Sequence, residues 1–330
     1  LSGTVVETLR LGLPSLPGAD RGASLNWQSL VTGTHTAQVW LDGPRKQRLA
    51  LLGQLAESDV IHNGADLWTY SSADGAVTHS TSAPTATKPS GVADAVPHGK
   101  DVASYTPLGA AQAALKAIDP TTVVTVDRTA RVAGQPAYTL VLTPRDSRST
   151  VHRVLIAIDA AHNLPLRVQV FGAGKDAVFE IGFATLSYKK PAARVFSFTA
   201  PRGSTVSGSP LDALAGKSNG DRPSAAPPGA PSAPPKSKTA GAPKVIGTGW
   251  TSILELPAGS SPLAGGPTGP MSGKGGAAGD LFSRLTTTLP DGAKLLHTAL
   301  VNAVVTPDGR VFVGAVDPAM LEQVAAGTKG

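Results

Sequence analysis

Short segments in which apolar and polar residues alternate dominate the chain from residue 1 to about residue 206. Ala37–Leu41, Tyr138–Leu142 and Leu166–Val170 are examples. A period of two places successive side chains on opposite faces of a strand, so each segment predicts a strand that buries one face. Turn-forming residues such as Asn63-Gly64 separate the segments. The series therefore predicts a mainly β domain built as an antiparallel meander.

The apolar positions of these strands define one face that is predicted to point inward. Its candidate ligand-contacting residues are Val39, Leu41, Leu49, Leu51, Leu140, Leu142, Val154, Ile156, Ile158, Val168, Phe179, Ile181 and Phe183. Val60, Val170, Phe196 and Phe198 are assigned to the same face. No charged residue is assigned to it. Such a face either packs as a solid core or encloses an apolar cavity, and both alternatives stay open here.

One amphipathic helix is predicted between the strands. Thr106-Pro107 provides a cap and a first-turn proline, and Asp119-Pro120 ends the helix. The residues that share its apolar face are Leu108, Ala111, Leu115 and Ile118. An apolar helix face needs a surface to cover, so the helix is predicted to lie over the curled sheet as a lid.

Composition divides the chain into three parts. Residues 1–206 are predicted to form the β-rich domain. Residues 207–244 are rich in Pro, Ala, Ser and Gly and predict a linker, because they offer little apolar surface to offset the entropy of ordering. Residues 245–330 predict a small α+β module.

Four elements are predicted for this module. They are a strand over Val245–Leu256, a helix over Asp280–Leu289, a hairpin around Pro307-Asp308-Gly309 and a helix over Pro318–Ala325.

The composition excludes several kinds of chemistry. The sequence has 0 Cys, which removes disulfides, thiol nucleophiles and Cys-ligated metal clusters. Its 7 His show no metal-ligand spacing, so neither a metal nor another cofactor is predicted. The net charge of +6 is scattered, which predicts a solvated surface and no nucleic-acid partner. Neither a nucleophile elbow nor a phosphate-binding glycine loop is present, so a binding protein is predicted rather than an enzyme.

Two aromatic residues allow a functional or a structural interpretation. Trp68 and Tyr70 alternate with Leu67 and Thr69, which places them on the opposite face of the strand. We therefore favour aromatic packing on the sheet over ligand contact. Trp250 is expected to anchor the C-terminal module.

Three motifs resemble the LolA family of lipoprotein carriers and the related RseB-like proteins. Val60–Tyr70 looks like the family hairpin, in which an Asp/Asn-Gly turn precedes Leu-Trp-aromatic-Tyr. Tyr138–Pro144 is similar to its Phe-Val-Leu-Thr-Pro strand. Phe196–Val206 follows the closing pattern F-x-F-x-x-P-x-G-x-x-V. Their order and spacing agree over roughly residues 1–206, and the whole chain looks most like exported actinobacterial members.

The resemblance implies a fold and a function. The fold is an α+β, mainly β, incomplete antiparallel barrel capped by helix. The function is that of an exported carrier that holds the acyl chains of a lipid or lipoprotein in an apolar cavity. The alternative is an RseB-like envelope sensor that binds a membrane-protein partner without transport. Both imply an extracytoplasmic location, with an N-terminal export signal expected ahead of Leu1. One departure is Gly43 before Pro44, where the carriers have an arginine that ties lid to barrel.

Overall fold

The computed structural model describes residues 1–12, 33–53, 56–81, 106–116, 120–207, 242–258 and 285–327. These residues form two β-sheets. The strands of the large sheet are β1 (Ser2–Leu9), β2 (Gly33–Leu41), β3 (Lys46–Leu52), β4 (Glu57–Asn63), β5 (Asp66–Ser71), β6 (Ala76–Thr81), β7 (Thr122–Val132), β8 (Gln135–Pro144), β9 (Arg153–Asp159), β10 (Pro165–Phe171), β11 (Phe179–Ser187) and β12 (Thr205–Ser207).

The large sheet is an open, curled meander. Its 12 strands follow the order β12-β6-β5-β4-β3-β2-β1-β11-β10-β9-β8-β7. All neighbours are antiparallel except β12 and β6. Cα atoms of β7 and β11 approach within 8 Å although three strands separate them, which shows how strongly the sheet curls. Because β7 and β12 remain edges, the prediction of an incomplete antiparallel barrel is confirmed.

A β-bulge between Thr4 and Val5 bends the sheet where β1 meets β11. Gly3 allows the close approach, because a Cβ atom there would lie 2.3 Å from the carbonyl oxygen of Thr185. The bulge sits in the middle of the sheet. It therefore helps to fold the two halves of the sheet toward each other.

The helix α1 (Pro107–Lys116) packs against β10 and β11. Thr106 precedes the helix and is buried, and its carbonyl accepts a hydrogen bond from the N–H of Ala110 at 3.2 Å. The predicted end at Asp119 falls outside the described residues. The helix thus lies over the middle of the curled sheet, as predicted for a lid.

The segment that follows β11 does not form the predicted strand. Ala193–Phe196 is a 3-10 helix that packs against β3 and β4, and Phe198 follows in extended conformation. The ring of Phe198 lies 5.3 Å from Trp68 and 5.8 Å from Tyr70. Phe196 and Phe198 therefore cover the outer face of the sheet, and their assignment to the inward face was wrong. Period-two alternation shows that two side chains share a face but not which surface that face contacts.

The second sheet has 6 strands in the order β13-β14-β18-β17-β16-β15. Their bounds are β13 (Lys244–Ile246), β14 (Ile253–Leu256), β15 (Thr286–Thr288), β16 (Lys294–Leu296), β17 (Asn302–Val305) and β18 (Val311–Gly314). The helix α2 (Pro318–Gly327) packs against β17 and β18. Ile253, Phe312 and Leu321 form the centre of its small core.

Two predictions for this part need correction, and two hold. β15 replaces the last turns of the predicted helix over Asp280–Leu289, because Thr286–Thr288 are β-branched residues that pair with β16. The predicted strand over Val245–Leu256 is interrupted by a 3-10 turn at Gly249–Thr251. The predicted hairpin is present as β17 and β18, and the last helix is α2. Of the predicted linker, residues 207–244, both ends belong to strands, because Ser207 is the last residue of β12 and Lys244 is the first of β13. Residues 208–241 lie outside the described residues.

The small sheet contacts one end of the large sheet. The N–H of Thr150, in the loop between β8 and β9, donates to the carbonyl of Ala315 at 3.0 Å. The N–H of Asp317 donates to the carbonyl of Arg148 at 2.8 Å. Ser149 also forms an isolated bridge with Val316. The β8–β9 loop is therefore the main attachment of the small sheet.

Two more contacts fall at the same end of the large sheet. The indole N–H of Trp250 donates to the hydroxyl of Thr122, the first residue of β7, at 2.7 Å. The N–H of Ala299 donates to the carbonyl of Leu11, just after β1, at 3.0 Å. The start of β7, the β8–β9 loop and the end of β1 share one end because successive strands are antiparallel. The expectation that Trp250 anchors the C-terminal part agrees with this contact.

No helix in the described part of the chain combines the length and hydropathy that a membrane span requires.

Candidate ligand-binding site

The structure brings the thirteen predicted lining residues together in one apolar cluster on the inner face of the large sheet. The fully buried members are Val39, Leu49, Leu51, Leu142, Val154, Ile156, Val168, Ile181 and Phe183. The partly buried members are Leu41, Leu140, Ile158 and Phe179. Strands from both halves of the sheet contribute. The curl of the sheet, which the sequence does not show, brings the residues of the two halves into one cluster.

One row of inner-face residues crosses the sheet beneath α1. In the strand register, Val126 on β7 lies opposite Leu140, Leu140 opposite Ile156, Ile156 opposite Val168, and Val168 opposite Ile181. We call these five residues the central row. Neighbouring strands are about 4.8 Å apart, so the row is an apolar track roughly 19 Å long.

The central row is open at its β7 end. Val126 is 68% exposed, and Val124 on the same face of this edge strand is 43% exposed. Leu140 is partly buried, whereas Ile156 and Val168 are fully buried. The track therefore runs from solvent at β7 to the covered interior at β10 and β11.

The helix α1 covers the sheet with alanines. Ala111 is fully buried, and Ala110 and Ala114 pack on the same cluster. Of the predicted lid residues, Leu108 is half-buried, Leu115 is 39% exposed and Ile118 falls outside the described residues. The helix is rotated so that its small side chains face the sheet, which lets the two backbones approach closely. Leu115 thus lies away from the covering face on which it was predicted.

The inner face is not free of charge, which corrects the prediction from sequence. Glu7 lies opposite His35 on β2 and opposite Ile181 on β11, so it shares the face of the central row. Burial raises the pKa of the Glu7 carboxyl, and His35 partly offsets that rise. The alternation of Val5, Glu7 and Leu9 contained the signal, but the sequence did not show that β1 lies in the middle of the sheet.

Polar side chains also occupy the inner face on β4, β5 and β6. Ser58 and Thr78 are buried there, and the hydroxyls of Thr69 and Thr78 are hydrogen-bonded at 2.5 Å. The Nδ1 atom of His62 is buried without a hydrogen-bond partner. Val60 and Leu67 are the apolar residues that β4 and β5 add to the cluster, whose other strand residues lie on β1–β3 and β7–β11.

The outer face carries Trp68 and Tyr70, for which the sequence allowed either ligand contact or aromatic packing. Trp68 stacks on His79 with ring centroids 3.8 Å apart and also contacts Phe198. Arg48 donates to Asp59 at 2.9 Å and to the carbonyl of Val195 at 3.4 Å. These contacts hold the 3-10 segment on the sheet. Packing therefore accounts for Trp68 and Tyr70 without a ligand.

The position of Gly43 explains why an arginine is absent there. Gly43 has a φ of 78° in the turn between β2 and β3. This left-handed conformation is strained for any residue with a Cβ atom. An arginine in this turn would be strained, whereas glycine adopts the conformation without that cost.

A carboxylate, an imidazole and a phenol meet at the turn between β9 and β10. The hydroxyl of Tyr188 donates to Asp159 at 2.7 Å, and the backbone N–H groups of Ala161 and His162 donate to it at 2.7 and 2.8 Å. The His162 ring stacks on Tyr188 at 3.7 Å. Asp159 therefore joins the turn between β9 and β10 to Tyr188, which directly follows β11.

The described residues contain no group of three or more His, Asp or Glu that could hold a metal ion. The pairs of His79 with Asp66 and of His162 with Asp159 are contacts within the sheet and the turn. The inner face of the large sheet therefore remains the candidate site.

Comparison with solved structures found several chains that are similar to this one. MucB from Pseudomonas aeruginosa, in its complex with MucA, is 16% identical, with 98% of this chain and 90% of the other covered and a TM-score of 0.43. A LolA superfamily protein from Nitrosomonas europaea is 11% identical over 60% and 90% of the two chains, with a TM-score of 0.20. The chain is similar to MucB and LolA-superfamily proteins.

An uncharacterized conserved protein from Thermus thermophilus is also similar, at 11% identity over 63% of this chain and 89% of the other, with a TM-score of 0.33. No family model and no curated protein matches the chain.

Proposed function

We propose that the chain is an exported carrier that binds the acyl chains of a lipid or lipoprotein on the inner face of its large sheet. The observation that carries the proposal is the central row, an apolar track that is exposed at Val126 and covered by α1 further in. Apolar side chains left in water on an edge strand are unfavourable unless a ligand covers them. The proposal assigns binding and no reaction, and it places the protein outside the cytoplasm.

Acyl chains enter this site at β7 and pass beneath α1. Each buried methylene contributes about 0.8 kcal/mol, so a long chain binds tightly without polar contacts. The helix meets the sheet through Ala110, Ala111 and Ala114, which bury little side-chain area. Lifting α1 therefore exposes little apolar surface, and an entering acyl chain replaces the contacts that are lost.

A charged residue introduced at position 126, the exposed end of the central row, tests whether acyl chains enter at β7. We expect Val126→Asp to weaken uptake of a fluorescent acyl ester at least about tenfold, because the carboxylate must lose water when a chain passes it. Thr125→Asp is the matched control, since Thr125 is exposed on the opposite face of the same strand. Uptake is followed by fluorescence titration. Equal loss in both variants, or in neither, contradicts entry at β7.

Native mass spectrometry of the protein purified without detergent tests binding itself. Bound lipid in the wild type, and less of it in Val126→Asp than in Thr125→Asp, is the expected result. Absence of lipid from the wild type together with no uptake of the ester overturns the proposal.

A second candidate function is that of an envelope sensor that binds a membrane partner through the small sheet. The attachment of the small sheet to the end of the large sheet favours it, because a ligand that shifts β7 also shifts the Thr122–Trp250 hydrogen bond.

Trp250→Ala separates the two functions. If the chain is a sensor, this variant changes the amount of membrane partner recovered by cross-linking, while Val126→Asp changes lipid uptake. If the chain is only a carrier, Trp250→Ala lowers stability and no partner is recovered with either variant.

A further inference from the structure

The central row ends at a polar pair. Ile181, its last member, lies opposite Glu7 on β1, and Glu7 lies opposite His35 on β2. All three side chains share the inner face because directly opposed residues of antiparallel strands point the same way. From Val126 to Glu7 the register crosses five strand spacings, or roughly 24 Å. The track thus has an apolar open end and a polar inner end.

The surroundings of Glu7 make its carboxyl unusual. Val5 and Ile181, its neighbours on β1 and β11, are 1% and 5% exposed. His35 is the titratable group that faces it from β2, and the group that faces it from β11 is the apolar Ile181. Burial raises the pKa of Glu7, which means that the folded protein disfavours the carboxylate.

This position lowers stability at neutral pH. A carboxyl whose pKa is raised in the folded state contributes most at low pH, and that contribution is lost as pH rises above the unfolded value. An apolar residue would fit the face better. A residue that lowers the stability of the folded protein on an otherwise well-packed face is typical of a binding site.

We propose that Glu7 and His35 bind the hydroxyl-bearing, uncharged headgroup of an acyl lipid, such as an acylglycerol, whose chain lies along the central row. This proposal rests on the proposed function and names the ligand class of the same site. The Glu7 carboxylate accepts hydrogen bonds from hydroxyl groups, and an imidazole provides both a donor and an acceptor.

The pair also discriminates between headgroups. A free fatty acid brings a second carboxylate beside Glu7, and like charges in a partly buried site repel each other. A methyl ester has no hydroxyl, so it removes water from the Glu7 carboxylate without supplying a hydrogen-bond donor in its place. The acylglycerol satisfies the carboxylate without adding charge.

Three ligands that share one acyl chain test the proposal on the full chain. We expect the wild type to bind monooleoylglycerol about tenfold more tightly than methyl oleate, and more tightly than oleate, in calorimetric titrations. Glu7→Met removes the acceptor and the charge. We expect it to abolish the preference for monooleoylglycerol over the methyl ester and to raise the affinity for oleate.

Glu7→Gln separates the hydrogen bond from the charge. Its side chain keeps an acceptor, so we expect it to retain most of the monooleoylglycerol preference while it relieves the repulsion of oleate. Glu180→Gln is the matched control. Glu180 lies on the outer face of β11, where it accepts a hydrogen bond from Gln169 at 2.9 Å, and we expect wild-type affinities for all three ligands.

Melting temperatures provide a readout without ligand. We expect Glu7→Met to melt above the wild type at pH 7, with a smaller difference at pH 4 where the Glu7 carboxyl is protonated. This result also shows that the variant folds.

The outcomes separate this inference from the proposed function. If the wild type binds the three ligands equally, or if Glu7→Met keeps the monooleoylglycerol preference, the headgroup site is wrong while the acyl track stands. If the wild type binds none of the ligands, the track and the headgroup site both fall. Loss of the preference in Glu180→Gln as well also overturns the inference, because the effect is then not specific to the inner face.

Discussion

Replacement of Asp159 by alanine is expected to lower the free energy of unfolding by about 3–5 kcal/mol. The residue is 1% exposed, and its carboxylate accepts hydrogen bonds from the Tyr188 hydroxyl and from two backbone N–H groups. Alanine removes the common acceptor of these part-buried hydrogen bonds and leaves a gap at a buried position, which costs more than the hydrogen bonds alone contribute. Urea denaturation monitored by circular dichroism measures the change.

The same residue predicts how stability depends on pH. Burial opposes ionisation of Asp159, but the hydrogen bonds from Tyr188, His162 and Ala161 outweigh it and lower its pKa to about 2. A lowered folded-state pKa gives stability that is present above the unfolded value near pH 4 and is lost as pH falls toward 2. We expect a loss on the order of 2–3 kcal/mol over this window in the wild type and a smaller one in Asp159→Asn.

Asp146 is the matched control. Its pKa is also lowered to about 2, chiefly by hydrogen bonds from Arg148, but this pair lies at the surface. We expect Asp146→Asn to change stability little, because water replaces the contacts of an exposed ion pair. Comparable losses in the Asp146 and Asp159 variants would falsify the view that the buried network at the β9–β10 turn is decisive.

Replacement of Phe196 by alanine is expected to cost about 3–5 kcal/mol without changing lipid uptake by the folded fraction. Phe196 is 1% exposed and belongs to the 3-10 segment that packs on β3 and β4. A buried phenylalanine leaves a large cavity when it is truncated. The ring lies on the outer face, so the inner face is unaffected. Thermal denaturation and titration with the fluorescent ester measure the two quantities.

Phe198→Ala is the comparison for this variant. Phe198 is only half-buried, and its ring contacts Trp68 and Tyr70. We expect a loss of about 1–2 kcal/mol, again with unchanged uptake, because the exposed side of the ring gains little from burial. If either phenylalanine variant bound less ester per folded molecule, the outer-face assignment of these residues would be contradicted.

The strands that were predicted correctly are those in which local pattern and tertiary environment agree. β8, β9 and β10 alternate because inner-face residues of each strand are buried, namely Leu142, Val154, Ile156 and Val168. Segments whose apolar residues face something other than the sheet interior were mispredicted. Phe196 and Phe198 alternate like a strand, yet they pack as a turn on the outer face.

The residues of the candidate site were also predicted only in part. The thirteen lining residues could be identified because a buried inner face imposes apolar residues at every second position. Glu7 was missed because the sequence did not show that β1 lies in the middle of the sheet, so the face shared by Val5, Glu7 and Leu9 was not assigned to the inner face. The exposure of Val126 was also unpredictable, since it depends on β7 being the edge strand.

Sequence by itself determined the β-rich class, most strands of the large sheet, the presence of α1 and the identity of its apolar inner face. These follow from side-chain periodicity and from proline and glycine signals, which act over a few residues. Only the tertiary structure decided the strand order, the rotation of α1 and the place where the small sheet attaches. It also decided that Glu7 lies at the end of the central row. These properties depend on contacts between residues that are far apart in the chain, and the curl of the sheet creates those contacts.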